Sequence, residues 1–147
     1  MDTFTLSGGS TGPLDFQDLD KYLTDDKNGE SFNIDEQWIE VYANKPSGGR
    51  TLARRVLAGV TMSFDVLCTG GSYGEAKDNY DAIASKINEA ADYQLLGAGD
   101  PVILTELRSD QSSPTELTLV GGYIERKNLK FMVAGKIECT VRLELSP

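Results

Sequence analysis

The chain has 147 residues, enough for one hydrophobic core and too few for two, and 39% of them are apolar, above what disordered chains carry. Its formal charge of −9 argues against tight nucleic-acid binding, which needs clustered Lys and Arg to displace counterions from phosphates. Histidine is absent altogether, which removes the commonest general base and the commonest metal ligand together. Cys68 and Cys139 have neither the CxxC spacing nor the histidines that would complete a zinc set, so they read as reduced core thiols. No stretch reaches the roughly 20 apolar residues of a membrane span, and the opening MDTFTLSGGS lacks the basic and apolar regions of a signal peptide. A soluble protein with no membrane contact, no cofactor and no metal is the expectation.

The negative charge is concentrated at the front. Residues 1–36 hold nine of the 23 acidic residues and two of the 14 basic ones, a net of −7, which leaves the remaining 111 residues nearly neutral at −2. Ser7-Gly8-Gly9-Ser10-Thr11-Gly12-Pro13 is turn and linker chemistry. In the acidic stretch that follows, Leu19, Tyr22 and Leu23 have the spacing of a short helix or turn. Residues 1–36 therefore read as a flexible acidic N-terminal arm, and residues 37–147 as the folded domain.

From Gln37 the texture changes. QWIEVYA is rich in aromatic and β-branched types and ends in Pro46-Ser47-Gly48-Gly49, a strand and its turn. In RRVLAGVTMSFDVLC, alternation places Val56, Ala58, Val60, Met62, Phe64, Val66 and Cys68 on one face, so the two segments read as an extended hairpin. Gly70-Gly71 ends that strand, and Ser72 with Glu75 three residues later is a capping-box signature. Tyr80, Ile83, Ala84, Ile87 and Ala91 then recur at helical intervals, leaving Lys77, Asp78, Asp81, Lys86 and Glu89 for a wet face, until Gly97, Gly99 and Pro101 stop the helix. PVILTELR, TELTLVGGYIER with a bulge at Gly121-Gly122, and KIECTVRLEL complete the chain as strands. Without regular βαβ alternation, the fold class is α+β, mainly β: an antiparallel β-sandwich or curled sheet with a long hairpin and one flanking α-helix.

Sites of chemistry are hard to find. Asp26-Lys27-Asn28-Gly29-Glu30 hints at a calcium loop, but with Gly29 as sixth position, Thr24 stands where the first Asp belongs and Asp35 where the bidentate Glu belongs. Glu40, Asp65, Glu106, Glu125, Glu138 and Glu144 alternate with apolar residues as solvated sheet-face charge does, which disfavours a glycosidase pair. No glycine pair has a phosphate-loop pattern. Basic residues gather at Arg50, Arg54 and Arg55 and again at Arg126, Lys127 and Lys130, and neither cluster contains interleaved aromatics for stacking single-stranded nucleic acid. Docking of the acidic arm, through Asp18, Asp20, Asp25 and Asp26, on these basic positions of a neighbouring subunit would use both charge features. These considerations suggest a structural subunit and not an enzyme, with a monomeric β-sandwich that binds a ligand or peptide, and a carboxylate-only hydrolase, as the competing classes.

A long hairpin, a capped helix and then strands ending in the alternating Ile137, Cys139, Val141, Leu143 and Leu145 resemble, over residues 37–147, the ring-forming domain of siphophage distal tail proteins and the related tail-tube proteins. The resemblance is one of topology. It implies a homo-oligomeric, hexameric ring in the virion tail, assembled in the host cytoplasm, which contacts other tail proteins and whose channel DNA passes without specific binding. Distal tail protein, tube protein and another ring subunit all stay open, since no galectin-like second domain is expected after Pro147.

Overall fold

The computed structural model describes residues 3–16, 18, 21–24, 33–97, 99–107, 110–127 and 135–147. In chain order the elements are β1 (Thr3–Gly8), β2 (Leu14–Asp15), β3 (Tyr22–Thr24), β4 (Asn33–Asn44), β5 (Arg50–Thr69), α1 (Tyr73–Leu96), β6 (Val102–Leu107), β7 (Thr115–Arg126) and β8 (Lys136–Ser146). Among the described residues the strands form one antiparallel sheet in the order β2-β1-β6-β7-β8-β5-β3, with β4 also paired to β5. The fold is mainly β with one helix, as the alternating patterns require.

The sheet curls. β2 and β3 stand at opposite ends of the strand order, yet Phe16, just past β2, meets Phe64 of β5 edge-on with ring centroids 4.9 Å apart and Tyr22 of β3 at 5.9 Å. The two layers expected of a sandwich are thus the two ends of one continuous sheet wrapped around a shared core. That core combines Val60, Met62, Phe64, Val66 and Cys68 of β5 with Ile137, Cys139, Val141, Leu143 and Leu145 of β8, the inward residues of two period-two strands in register. Cys68 and Cys139 are free, buried thiols with their sulfurs 3.8 Å apart. Their mutual hydrogen bond and burial push the Cys139 thiol up, so it stays protonated.

α1 packs mainly on β7 and also on β5 and β8. The Ser72 hydroxyl accepts from the Glu75 amide at 3.3 Å, and the Glu75 carboxylate accepts from the Gly71 amide at 2.6 Å. Gly97 closes the helix in the left-handed conformation. At the expected bulge in β7, Gly122 has φ +144° and a Cβ there would lie 2.2 Å from the Arg142 carbonyl oxygen, so only glycine lets the two strands approach.

Three expectations are corrected. First, the N-terminal segment is no flexible arm as far as residue 24: β1 pairs with β6 along its whole length, Phe4 and Leu6 are fully buried, and Leu14, Phe16 and Tyr22 join the same core. Tyr22–Thr24 is strand where a short helix or turn was expected; Leu19 and residues 25–30 lie outside the described residues. Second, the helix buries Ala76, Ile83, Ile87 and Ala90, and with them Lys86, which sequence placed on the wet face. The Lys86 ammonium donates to the Gly8 carbonyl and, at 3.1 Å, to that of Thr11, while Glu89 accepts from the Ser10 amide and hydroxyl at 3.0 and 2.6 Å. The turn after β1 therefore exposes carbonyls that a lysine must satisfy. Third, Val56 does not share a face with Val60: Gln37 opposes Gly59 while Trp38 opposes Leu57, so Ala58 is an extra residue that flips the alternation.

Candidate functional site

β5 is 20 residues long, but only Val60–Thr69 pairs with β8. Residues 50–59 pair with β4 alone, and β4 pairs with nothing but β5 among the described residues, so the far half of the hairpin is a two-stranded ribbon. Ten residues of strand extend it by roughly 30 Å. Its tip is the expected turn, with Gly48 and Gly49 at φ +89° and +79° and the Lys45 amide bonded to the Gly49 carbonyl at 3.0 Å.

The cross-strand register sorts the side chains onto two faces. The first continues the core side of the sheet, because its Glu36 opposes buried Val60, and carries Trp38, Glu40, Tyr42, Leu57, Arg55, Leu52 and Arg50. These groups neutralise each other: Arg55 lies over the Trp38 ring at 5.3 Å and 3.6 Å from Glu40, Arg50 lies over Tyr42 at 4.6 Å, and the Trp38 indole donates to Glu36 at 3.1 Å. The Tyr42 hydroxyl donates to Glu40, and that hydrogen bond, with the carboxylate's charge beside it, pushes the phenol up. No aromatics interleave with this basic cluster along the chain; strand pairing supplies them from the opposite strand. The second face carries Ile39, Val41 and Ala43 opposite Val56, Arg54 and Thr51. Between Gln37 at its base and Thr51 near its tip it is aliphatic apart from Arg54, which has no partner among the described residues.

Trp38, Ile39, Tyr42, Leu52 and Val56 are between 41% and 57% exposed. A two-stranded ribbon is marginal in water, and one with apolar side chains on both faces is a surface built to be covered. The sequence signal was present in QWIEVYA, where Trp38 and Ile39, apolar neighbours in a strand, cannot both point into one core.

The other expected contact residues are placed as follows. Asp18 forms the turn into β3, its carbonyl accepting from the Lys21 and Tyr22 amides at 3.0 and 2.8 Å. Asp20, Asp25, Asp26 and Lys130 lie outside the described residues. Arg126 donates to the Tyr73 hydroxyl at 3.2 Å, and Lys127 pairs with Asp65 at 2.9 Å and Glu138 at 3.4 Å. The two basic clusters sit at opposite ends of β5 and are not brought together. Lys127 and the Thr140 hydroxyl hold Asp65 below the usual carboxylate range, and Arg142 and Thr61 do the same for Glu144. A general acid needs the opposite shift. Among the described residues no three acidic or cysteine side chains converge as metal ligands would.

No protein-family model matches the chain, and no curated protein does. Solved structures do. The fold matches a chain of the phage p2 baseplate in its activated conformation with Sr, at TM-score 0.54 and 12% identity over 99% of this chain and 44% of that one. The SPP1 Dit protein, described as a paradigm of the hub adsorption apparatus in phages that infect Gram-positive hosts, aligns at 14% identity over 97% of this chain and 49% of its own; its TM-score of 0.44 adds no independent support. This chain thus spans less than half the length of either.

Proposed function

We propose that the chain is a structural subunit of a bacteriophage tail, assembling with copies of itself into a hexameric ring around the DNA channel as a distal tail or tube-like component and having no enzymatic role. The observation that carries this reading is the fold shared over 99% of the chain with a phage p2 baseplate chain. The hairpin supplies a means of assembly, since a ribbon exposing Trp38, Ile39, Tyr42, Leu52 and Val56 gains most from a neighbour that covers it. Of the basic residues expected at the subunit contact, Arg54 fits best, because Arg50, Arg55, Arg126 and Lys127 are engaged within their own chain. The nearly neutral body, −2 over residues 37–147, favours a lumen through which DNA slides without sticking, where a basic one would bind it. On this reading the protein resides in the virion tail, is assembled in the host cytoplasm and contacts other tail proteins. Mass measurement across a wide concentration range tests it: a closed ring of defined mass is expected, and a strict monomer at the highest concentration would overturn it.

A further inference from the structure

Two features on different parts of the molecule fit each other. The C-terminal end of α1 carries Leu95 and Leu96, 81% and 75% exposed, the most solvated large apolar side chains among the described residues. No basic residue lies in the last helical turn, so the partial negative charge of the helix end is uncompensated there. Asp92 and Asp100 border the same region, lining a hollow with Glu89 and Gly99, and neither aspartate has a partner among the described residues. Glu89 is already engaged by Ser10. The helix end thus carries two exposed leucines with Asp92 one turn before them and Asp100 four residues after Leu96, and it is short of a cation.

The second face of the hairpin has the complementary composition: Ile39 and Val56, exposed and opposite each other, with the unpartnered Arg54 two residues away. We infer that the aliphatic face of the hairpin of one subunit packs on the helix end of a second copy, with Ile39 and Val56 against Leu95 and Leu96 and the Arg54 guanidinium between Asp92, Asp100 and the helix C-terminus. The inference rests on the self-assembly reading above and specifies its contact. Because the two patches differ, the contact is head-to-tail, the type that closes into rings when the rotation per subunit allows.

Sedimentation velocity over a concentration series tests this, with circular dichroism as the folding control, since every residue changed is exposed. The double variant Leu95→Asp/Leu96→Asp is expected to weaken association by about tenfold or more, as two leucines lose their burial and carboxylates add to an acidic helix end. Arg54→Glu is expected to weaken it by about two- to fivefold, the range of an exposed ion pair. Combining Arg54→Glu with Asp92→Arg and Asp100→Arg should restore association. A wild-type ring whose assembly is unaffected by the leucine and arginine variants would overturn this contact and leave the ring reading standing. Weakening without rescue in the charge-reversed combination would overturn the pairing of these two patches. A wild type that never associates would overturn the ring reading itself.

Discussion

The body and the hairpin of this protein are built from one continuous strand, β5, and obey opposite rules. From Val60 onward β5 pairs along its length with β8, with β4 or β3 on its other side over residues 60–63 and 66–68, and Val60, Met62, Phe64, Val66 and Cys68 alternate onto a core closed by β8 and α1. Before Val60 it has one partner strand, two bulges, and apolar residues on both faces of which only Leu57 packs against the core. Burial imposes strict alternation, because an inward polar residue without a partner costs free energy and an outward apolar one gains none. Where alternation fails on a strand held out from the body, the constraint comes from another surface. The body is therefore specified by its own packing, and the far half of the hairpin is not.

This contrast can be broken most forcefully at the N-terminus. Deleting residues 1–24 would leave assembly the only casualty if the segment were a detachable arm. Because it contributes β1 and the buried Phe4, Leu6, Leu14, Phe16 and Tyr22, the expected outcome is a chain without a cooperative thermal transition, read by circular dichroism. An intermediate effect is expected where a charged side chain serves the body. Lys86→Ala strands the Gly8 and Thr11 carbonyls, which should cost about 1–3 kcal/mol in urea denaturation and loosen hydrogen-exchange protection in β1 before the rest of the sheet. Lys77→Ala, which removes only an exposed pair with Asp81 on the same helix, should change stability by no more than about 0.5 kcal/mol. Smallest is the effect of the hairpin on the isolated subunit. Replacing residues 39–56 by a short turn, and so keeping Leu57, which packs against the core, should leave the unfolding free energy of the monomer within about 0.5 kcal/mol of wild type while abolishing association. A large loss of monomer stability would mean that the ribbon belongs to the body after all.

Much of the body was legible from residue order. The 3.6-residue recurrence of Ile83 and Ile87, the Ser72 cap and Gly97 place α1, and the period-two run of Ile137 to Leu145 places β8, because each pattern is local and its cause is burial on one side. What failed was non-local. TFTLSG is too short and too close to a glycine-rich turn to announce a strand, and it becomes one only because β6, nearly 100 residues later, offers it an edge. Lys86 lies three residues after Ile83 and four before Ala90, at the edge of the apolar stripe, and its charge alone made it read as solvated; the return of the Gly8–Thr11 turn over that face makes its ammonium a buried donor.

The hairpin divides in the same way. The sequence by itself determined that a long strand-turn-strand lies at 37–68, that its turn uses Gly48 and Gly49, and that basic residues gather near its tip, since these follow from local propensity and composition. Tertiary structure alone decided which residues share a face. The bulges at Ala53 and Ala58 shift the register of one strand against the other, and a one-residue shift moves every later side chain to the opposite side of the sheet. For that reason Arg50 and Arg55 meet Tyr42 and Trp38, while Arg54 is left with Ile39 and Val56 on the opposite face.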